Sequence, residues 1–275
     1  MTTEEKLFSR QQRNENGWLI YPGRDTEWRK DLYGPYYEET RLHPAKMRME
    51  VCRDIIHYVS CPGETILDPF GGIGTTMIAA LSGRNVVLLE VEQVFADIAQ
   101  RTADWLHSEG MLSGAVTVIC QDNRQVLPLP CNHIITSPPY GNDLSNKSPL
   151  EGTEFYEGSD RMKRKVEAYT ASPLNIGTVN KFMYVKTMDR LYKKMIDSLP
   201  PGGTISITHR DRIEDGKRVT YAMEIIRAMT TQGMEILYMD KWDAPTSVQN
   251  TYNKSQGLDV VTEEDILIFR KVYNV

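Results

Sequence analysis

The sequence predicts an α/β protein on a Rossmann-like, doubly wound, mostly parallel sheet of seven strands. Three observations predict it. Short apolar runs alternate with segments of helical period along most of the chain. The first of these runs ends in a glycine-rich turn that opens directly into a helix, as at the first crossover of such sheets. The last two runs have no helix between them, so they are expected to pair as an antiparallel edge hairpin.

Residues 1–42 show no clean period and mix Trp18, Tyr21, Trp28, Tyr33, Tyr36 and Tyr37 with Arg, Lys, Gly and Pro. An irregular N-terminal arm lying on the body is expected there. Met47, Val51, Ile55 and Tyr58 recur at helical spacing, which predicts a helix over Met47–Val59 closed by Cys61-Pro62-Gly63. Strands are then expected at Thr65–Asp68, Val86–Glu90, Ala115–Cys120 and His133–Thr136, with helices at Thr75–Leu81 and Val94–His107 between the first three. After a break come a helix at Phe182–Leu199, a strand at Thr204–Thr208, a helix at Val219–Thr231, and strands at Glu235–Lys241 and Ile266–Phe269. Residues 43–275 thus read as one domain with an insertion at 141–180. The insertion has weak periodicity, and segments of that size inside a domain are usually functional or disordered.

The composition is ordinary for a soluble protein: 275 residues, 40% hydrophobic and 25% charged. No apolar stretch is long enough to span a bilayer. Met1-Thr2-Thr3-Glu4-Glu5 is polar and acidic, unlike a secretory leader, so a cytoplasmic protein with no membrane partner is expected. Cys52, Cys61, Cys120 and Cys131 show no C-x-x-C spacing, so they read as reduced thiols and no metal site is expected. The net charge of −5 does not advertise a nucleic-acid binder. The distribution of charge is more informative: Arg161–Lys194 holds nine basic residues against two acidic ones, a candidate phosphate-contacting surface or a solvated face.

The glycine turn is Phe70-Gly71-Gly72-Ile73-Gly74. Glycines let a backbone pass close to a ligand, and the helix that begins near Thr75 offers unpaired N–H groups. A P-loop would need a lysine where Thr75-Thr76 stands, and the dinucleotide fingerprint would need a third glycine at Met77. Both tests fail. Glu90 ends the second strand, where a carboxylate can accept two hydrogen bonds from ribose hydroxyls. Asp122 follows the third strand in Cys120-Gln121-Asp122-Asn123.

What remains is Asp68-Pro69-Phe70-Gly71-Gly72-Ile73-Gly74-Thr75-Thr76, which resembles the cofactor motif of the S-adenosylmethionine-dependent DNA methyltransferases that methylate amino groups. His43-Pro44-Ala45 looks like the same family's His-Pro-Ala segment, although Met47-Arg48-Met49 replaces the proline that usually follows. The resemblance implies a class I methyltransferase fold with S-adenosylmethionine as cofactor. It also implies that the methionine part lies over the glycine turn and under the His-Pro-Ala segment, and that Asp122 receives the adenine amino group.

Ser137-Pro138-Pro139-Tyr140 follows the fourth predicted strand. Consecutive prolines continue neither a ladder nor a helix, so they form a rigid turn with carbonyls directed outward. Methylating an exocyclic amino nitrogen requires acceptors for its hydrogens while its lone pair faces the methyl donor. The Ser137 hydroxyl and the Pro138 carbonyl can be those acceptors. Tyr140 can stack on a base rotated out of the duplex. A sulfonium methyl is already activated, so neither metal nor covalent nucleophile is needed and positioning supplies most of the rate.

The family's motif is Asp/Asn/Ser-Pro-Pro-Tyr/Phe, and its Ser form is mostly associated with N4 of cytosine. The resemblance therefore implies site-specific methylation of cytosine N4 in DNA, as a companion of a restriction endonuclease or alone. N6-adenine methylation of DNA is the nearest alternative, followed by an RNA amino-methyltransferase. A non-catalytic protein on this fold is a further alternative, against which Ser137, Pro138 and the glycines all stand intact. Target recognition is expected from Gly141–Asn180, from the N-terminal arm or from the loop Ala244–Glu263, and the first is favoured because it follows the Ser-Pro-Pro-Tyr turn and leads into the basic segment.

Overall fold

In a computed structural model, residues 8, 11–43, 46–139, 172–214, 217–244, 254–255, 257 and 259–272 are described. Their main elements are α1 (Thr26–Tyr33), α2 (Met49–Val59), β1 (Thr65–Asp68), a 3-10 helix (Thr75–Ser82) and β2 (Asn85–Glu90). There follow α3 (Gln93–Ser108), β3 (Val116–Cys120), α4 (Asn123–Val126), β4 (His133–Thr136), α5 (Lys181–Asp197) and β5 (Thr204–His209). The chain then forms β6 (Arg212–Glu214), β7 (Lys217–Val219), α6 (Tyr221–Thr230), β8 (Met234–Asp243) and β9 (Glu263–Lys271).

The main sheet has seven strands in the order β3-β2-β1-β4-β5-β9-β8. All neighbours from β3 to β5 are parallel, whereas β9 runs antiparallel to both β5 and β8, so the expected edge hairpin is present. Strand residues alternate between two cores, as a sheet covered on both faces requires. Ile66, Val86, Leu88, Ile135, Ile266 and Ile268 face one core with α2 and α3. Leu67, Leu89, Ile134, Ile205, Leu267 and Phe269 face the other with α5 and α6. The strand order reverses between β1 and β4. In open parallel sheets a ligand binds at that switch point, outside the carboxyl ends of the strands.

Three segments depart from expectation. The N-terminal stretch is more ordered than its aperiodic sequence predicts: α1 buries Leu32 and Tyr33, and Arg29 donates to the Met47 carbonyl at 2.6 Å. Leu19 pairs with the edge of β8, donating to the Lys241 carbonyl and accepting from Asp243, each at 2.8 Å. One short helix, two 3-10 turns and the bridged residues Arg13 and Leu19 leave no sequence period to read. Second, Thr75–Ser82 winds as a 3-10 helix, where an α-helix was expected through Leu81. The Ala80 carbonyl is turned outward to accept Ser113 and Gly114 N–H at 2.9 Å, which diverts the last turn from α pairing. Third, the helix expected from Val219 starts at Tyr221, because Val219 pairs with Arg212 in the β6–β7 hairpin. Asp211 accepts the Tyr221 N–H at 3.1 Å and fixes the new start.

Candidate active site

The glycine turn leaves β1 with backbone angles that side chains resist. Gly72 has φ of 52° and Gly74 of 84°. A Cβ on Gly72 would stand 3.0 Å from His43 Nε2, and one on Gly74 only 2.6 Å from Met77 Cε. The turn is closed internally by Gly74 N–H on the Gly71 carbonyl and joined to β2 by Gly71 N–H on the Leu89 carbonyl, both at 2.8 Å.

Asp68 lies behind this turn. Its buried carboxylate accepts Thr136 Oγ1 at 2.8 Å, Thr76 Oγ1 at 3.0 Å and Phe70 N–H at 3.1 Å. It thereby ties β1 to the turn, the 3-10 helix and β4. Burial pushes its pKa up to about 6, although these donors favour the charged form. Thr75 also faces inward, with Oγ1 3.3 Å from the Tyr33 hydroxyl. Asp68, Gly71, Gly74, Thr75 and Thr76 shape the turn and are not among the residues that line the crevice.

The crevice itself is lined by His43, Pro69, Phe70, Gly72, Glu90, Asp122, Ser137 and Pro139 among the predicted residues. Elements far apart in sequence therefore converge on one space. His43 covers the turn and packs against Phe95, ring centroids 4.5 Å apart. Glu90 accepts Gly72 N–H at 2.7 Å on Oε2, and Glu92 and Val91 N–H at 2.8 and 2.9 Å on Oε1. A carboxylate offers about four acceptor sites. Oε1 is filled and Oε2 retains one acceptor site, where two were expected for ribose hydroxyls. Burial raises the Glu90 pKa to about 7 against the opposing pull of these three N–H groups.

Asp122 is engaged differently from expectation. Arg124 donates its N–H and Nε to Oδ1 at 2.9 and 2.8 Å, and its Nε and guanidinium Nη2 reach Oδ2 at 2.9 and 2.8 Å. The carboxylate expected to receive an adenine amino group is thus filled by its own neighbour, and a ligand amino group must compete with Arg124. Asn123, beside it, donates to the Pro69 carbonyl at 2.8 Å and pins the Asp-Pro-Phe turn.

A wall that the sequence did not reveal is made by Leu174, Asn175 and Ile176. Glu92 holds it, accepting Ser172 N–H at 2.8 Å and Asn175 Nδ2 at 2.9 Å. Arg124 Nη2 adds a bond to the Leu174 carbonyl at 3.0 Å. Burial raises the pKa of Glu92, and these two donors oppose the shift. Position next to Asp122 is a signal that could have marked Asn123 in sequence, but nothing local marks Glu92 or Asn175.

At the other end, Ser137 and Pro139 reach the crevice from β4, and Pro138 is buried behind them. The Pro139 carbonyl accepts the Tyr184 hydroxyl at 2.6 Å. Pro44, Ala45, Tyr140 and most of the 141–180 insertion lie outside the described residues. Among the described residues, no group of three His, Cys, Asp or Glu side chains is placed to hold a metal ion, and no helix is long and apolar enough to cross a membrane.

Residues 3–101 match the family model for DNA methylases. That match takes in the His-Pro-Ala segment, the glycine turn and Glu90, and ends before Asp122 and Ser137. The curated "Putative methylase YubD" of Escherichia coli (strain K12) is 30% identical over 93 residues, which are 32% of this chain and 41% of that protein. Two solved structures share the fold over nearly the whole length. The [4+2]-cyclase SpnF has a TM-score of 0.52 and 17% identity over 93% of this chain and 99% of its own. Magnesium protoporphyrin IX methyltransferase ChlM from Synechocystis PCC 6803, solved with bound SAM, has a TM-score of 0.50 and 10% identity over 91% of this chain and 98% of its own. The fold is the class I methyltransferase fold. A cyclase and a methyltransferase share it, so the reaction must be argued from the site. The chain spans about two-fifths of the length of the curated relative.

Proposed function

We propose that the chain transfers a methyl group from S-adenosylmethionine to the exocyclic N4 amino group of a cytosine in DNA, at a base rotated out of the duplex. One observation carries the reading: the glycine turn after β1 and the Ser-Pro-Pro turn after β4 open into the same crevice at the switch point of the sheet. A methyl donor on the first turn and an amino acceptor on the second are then neighbours. The family match over 3–101 supports a DNA substrate.

The residues present fit the cofactor. Gly72 leaves beneath His43 a cradle that a Cβ would fill, and Glu90 has one acceptor site left for a ribose hydroxyl. His43, Phe70 and Gly72 would hold the methionine part, Glu90 the ribose and the Asp122 loop the adenine. When bound, the cofactor supplies a methyl group already activated on sulfur. The chain's own work is then to hold the target nitrogen. The Ser137 hydroxyl, on the crevice wall, accepts one of its hydrogens and the carbonyl of the buried Pro138 beside it the other, so its lone pair turns toward the donor, and the wall at 174–176 excludes water. Tyr140 stacks on the base. Recognition falls to the part of the 141–180 insertion that precedes the wall.

The test is incubation with tritiated S-adenosylmethionine and DNA, followed by mass spectrometry of the nucleosides. Label in N4-methylcytosine is expected, and its loss in both Ser137→Ala and Tyr140→Ala. Full activity in both variants overturns the site assignment. Label in N6-methyladenine moves the assignment to adenine, and label in RNA but not DNA moves it to an RNA substrate. A deletion within 145–170 that leaves site preference unchanged removes the insertion from recognition. Failure of the methylated DNA to resist any restriction endonuclease encoded beside the chain removes the companion role.

A further inference from the structure

The Ser137-Pro138-Pro139 turn has few free torsions. The pyrrolidine rings fix φ at Pro138 and Pro139. Ser137 and Pro138 each precede a proline, so their backbones are held in the extended region. The remaining soft torsion is ψ of Pro139, which sets the direction of the Pro139 carbonyl and the course of the chain into Tyr140. Tyr184 bonds that carbonyl. Its hydroxyl donates to Pro139 O at 2.6 Å, across 45 residues of sequence.

The phenol is itself held in place. Tyr184 sits in the first turn of α5, where Asn180 caps the helix by accepting Met183 N–H at 3.0 Å and its carbonyl accepts Tyr184 N–H at 2.9 Å. The ring is 5% exposed and belongs to the core that contains Ile134, Ile176 and Met188. Two side-chain torsions locked by packing deliver the hydroxyl to one spot, so a helix braces the turn through this bond.

We propose that Tyr184 is a positioning residue for methyl transfer, holding through the Pro139 carbonyl the end of the Ser137-Pro138-Pro139 turn and so the seat of the Ser137 hydroxyl and Pro138 carbonyl that hold the target amino group. This rests on the methyltransferase reading above. Tyr184 touches neither methyl donor nor acceptor, so its loss acts on the chemical step and not on cofactor binding. A misplacement of about 1 Å at such a site costs on the order of 100-fold in rate.

The experiment compares wild type, Tyr184→Phe and a protein carrying 3-fluorotyrosine at position 184, using tritiated S-adenosylmethionine and DNA. Tyr184→Phe is expected to lose about 10- to 100-fold in kcat, with the KM for S-adenosylmethionine unchanged and the melting temperature lowered by only the few degrees, about 2–4, that one lost hydrogen bond costs. The fluorinated residue keeps the hydroxyl donor and is expected to retain wild-type kcat. An unchanged kcat in Tyr184→Phe overturns the proposal. So does a loss accompanied by equal weakening of cofactor binding or by loss of the cooperative unfolding transition, and so does an equal loss in the fluorinated protein. If wild type labels neither DNA nor RNA, the methyltransferase reading fails and takes this role with it. Transfer by wild type with an unchanged Tyr184→Phe overturns the role of Tyr184 alone.

Discussion

Oε2 of Glu90 accepts the backbone N–H of Gly72 at 2.7 Å, so the acid that ends β2 holds the middle of the glycine turn that follows β1. One group therefore shapes the floor of the crevice and offers a remaining lone pair to whatever lies on it.

A pH dependence follows from the burial of this group. The folded-state pKa of about 7 lies above the ordinary 4.5, so folding favours the neutral acid. That contribution to stability is full below about pH 4.5 and is lost as pH rises through about 7. Asp68 acts in the same direction between its ordinary 3.8 and about 6. Cofactor binding has the opposite sign, because an ionised carboxylate accepts a hydroxyl about twice as strongly as a neutral group does. The melting temperature is expected to fall, and affinity for S-adenosylmethionine to rise, as pH passes through about 7. Calorimetric scans and titrations across that range check both. Glu90→Gln is expected to flatten the two curves, and an equally steep affinity curve in that variant removes Glu90 from the site.

Gly72 carries a steric prediction. Its φ of 52° disfavours any side chain, and an added Cβ would press on the His43 ring at 3.0 Å. Gly72→Val introduces a β-branched residue at this φ, at a cost of about 1–2 kcal/mol before the clash is counted. It is expected to abolish measurable binding of S-adenosylmethionine in a calorimetric titration, with Gly72→Ala intermediate. Wild-type affinity in Gly72→Val makes the turn structural and moves the cofactor elsewhere.

How much of this was legible in the sequence depends on the range of each interaction. The strands of the parallel region were readable because burial on both faces favours unbroken apolar runs, as Val86–Leu89 within β2 shows and as the shorter Ile66-Leu67 and Ile134-Ile135 pairs show less clearly. The two ends of the crevice were readable because proline and glycine constrain the backbone locally. Glu92 and Asn175 were not, because each is an ordinary polar residue until the fold brings them to 2.9 Å across 83 positions. Arg124 was missed for a related reason: its basic side chain reads as solvated until Asp122 and the Leu174 carbonyl are seen to share it. α1 escaped because its buried face, Arg29, Leu32 and Tyr33 at helical spacing, begins with a charged residue and so shows no apolar repeat in eight residues.

The Glu92–Asn175 bond gives a test of the wall. Asn175 is buried, and its Oδ1 also accepts Gly177 N–H at 2.8 Å, so both ends of its amide are used. A hydrogen bond to a charged group contributes about 1.5–3 kcal/mol. Asn175→Ala removes one of the anchors of 172–177 and is expected to weaken S-adenosylmethionine binding by about tenfold or more, since about 1.4 kcal/mol corresponds to one decade. Unchanged affinity in a titration means that the wall does not bear on the ligand.

The basic segment noted in sequence is narrower than its count. Of its five cations within α5, Lys194 is turned inward onto the Arg124 and Leu127 carbonyls at 2.5 and 3.0 Å, and Lys193 pairs with Asp197 at 3.2 Å. Lys181, Lys186 and Arg190 are exposed, and α5 starts beside the Ser-Pro-Pro turn through the Tyr184 bond. If this stripe lies on a nucleic-acid backbone, each phosphate contact releases counterions and contributes about 0.9 to the slope of log affinity against log salt. Lys186→Ala with Arg190→Ala is expected to lower DNA affinity to a similar extent on all sequences and to reduce that slope by about 2. Fluorescence anisotropy with a labelled duplex across a salt series measures both quantities. An unchanged slope assigns the stripe to solvent and leaves phosphate binding to other residues, whereas a loss confined to one DNA sequence makes these side chains base readers.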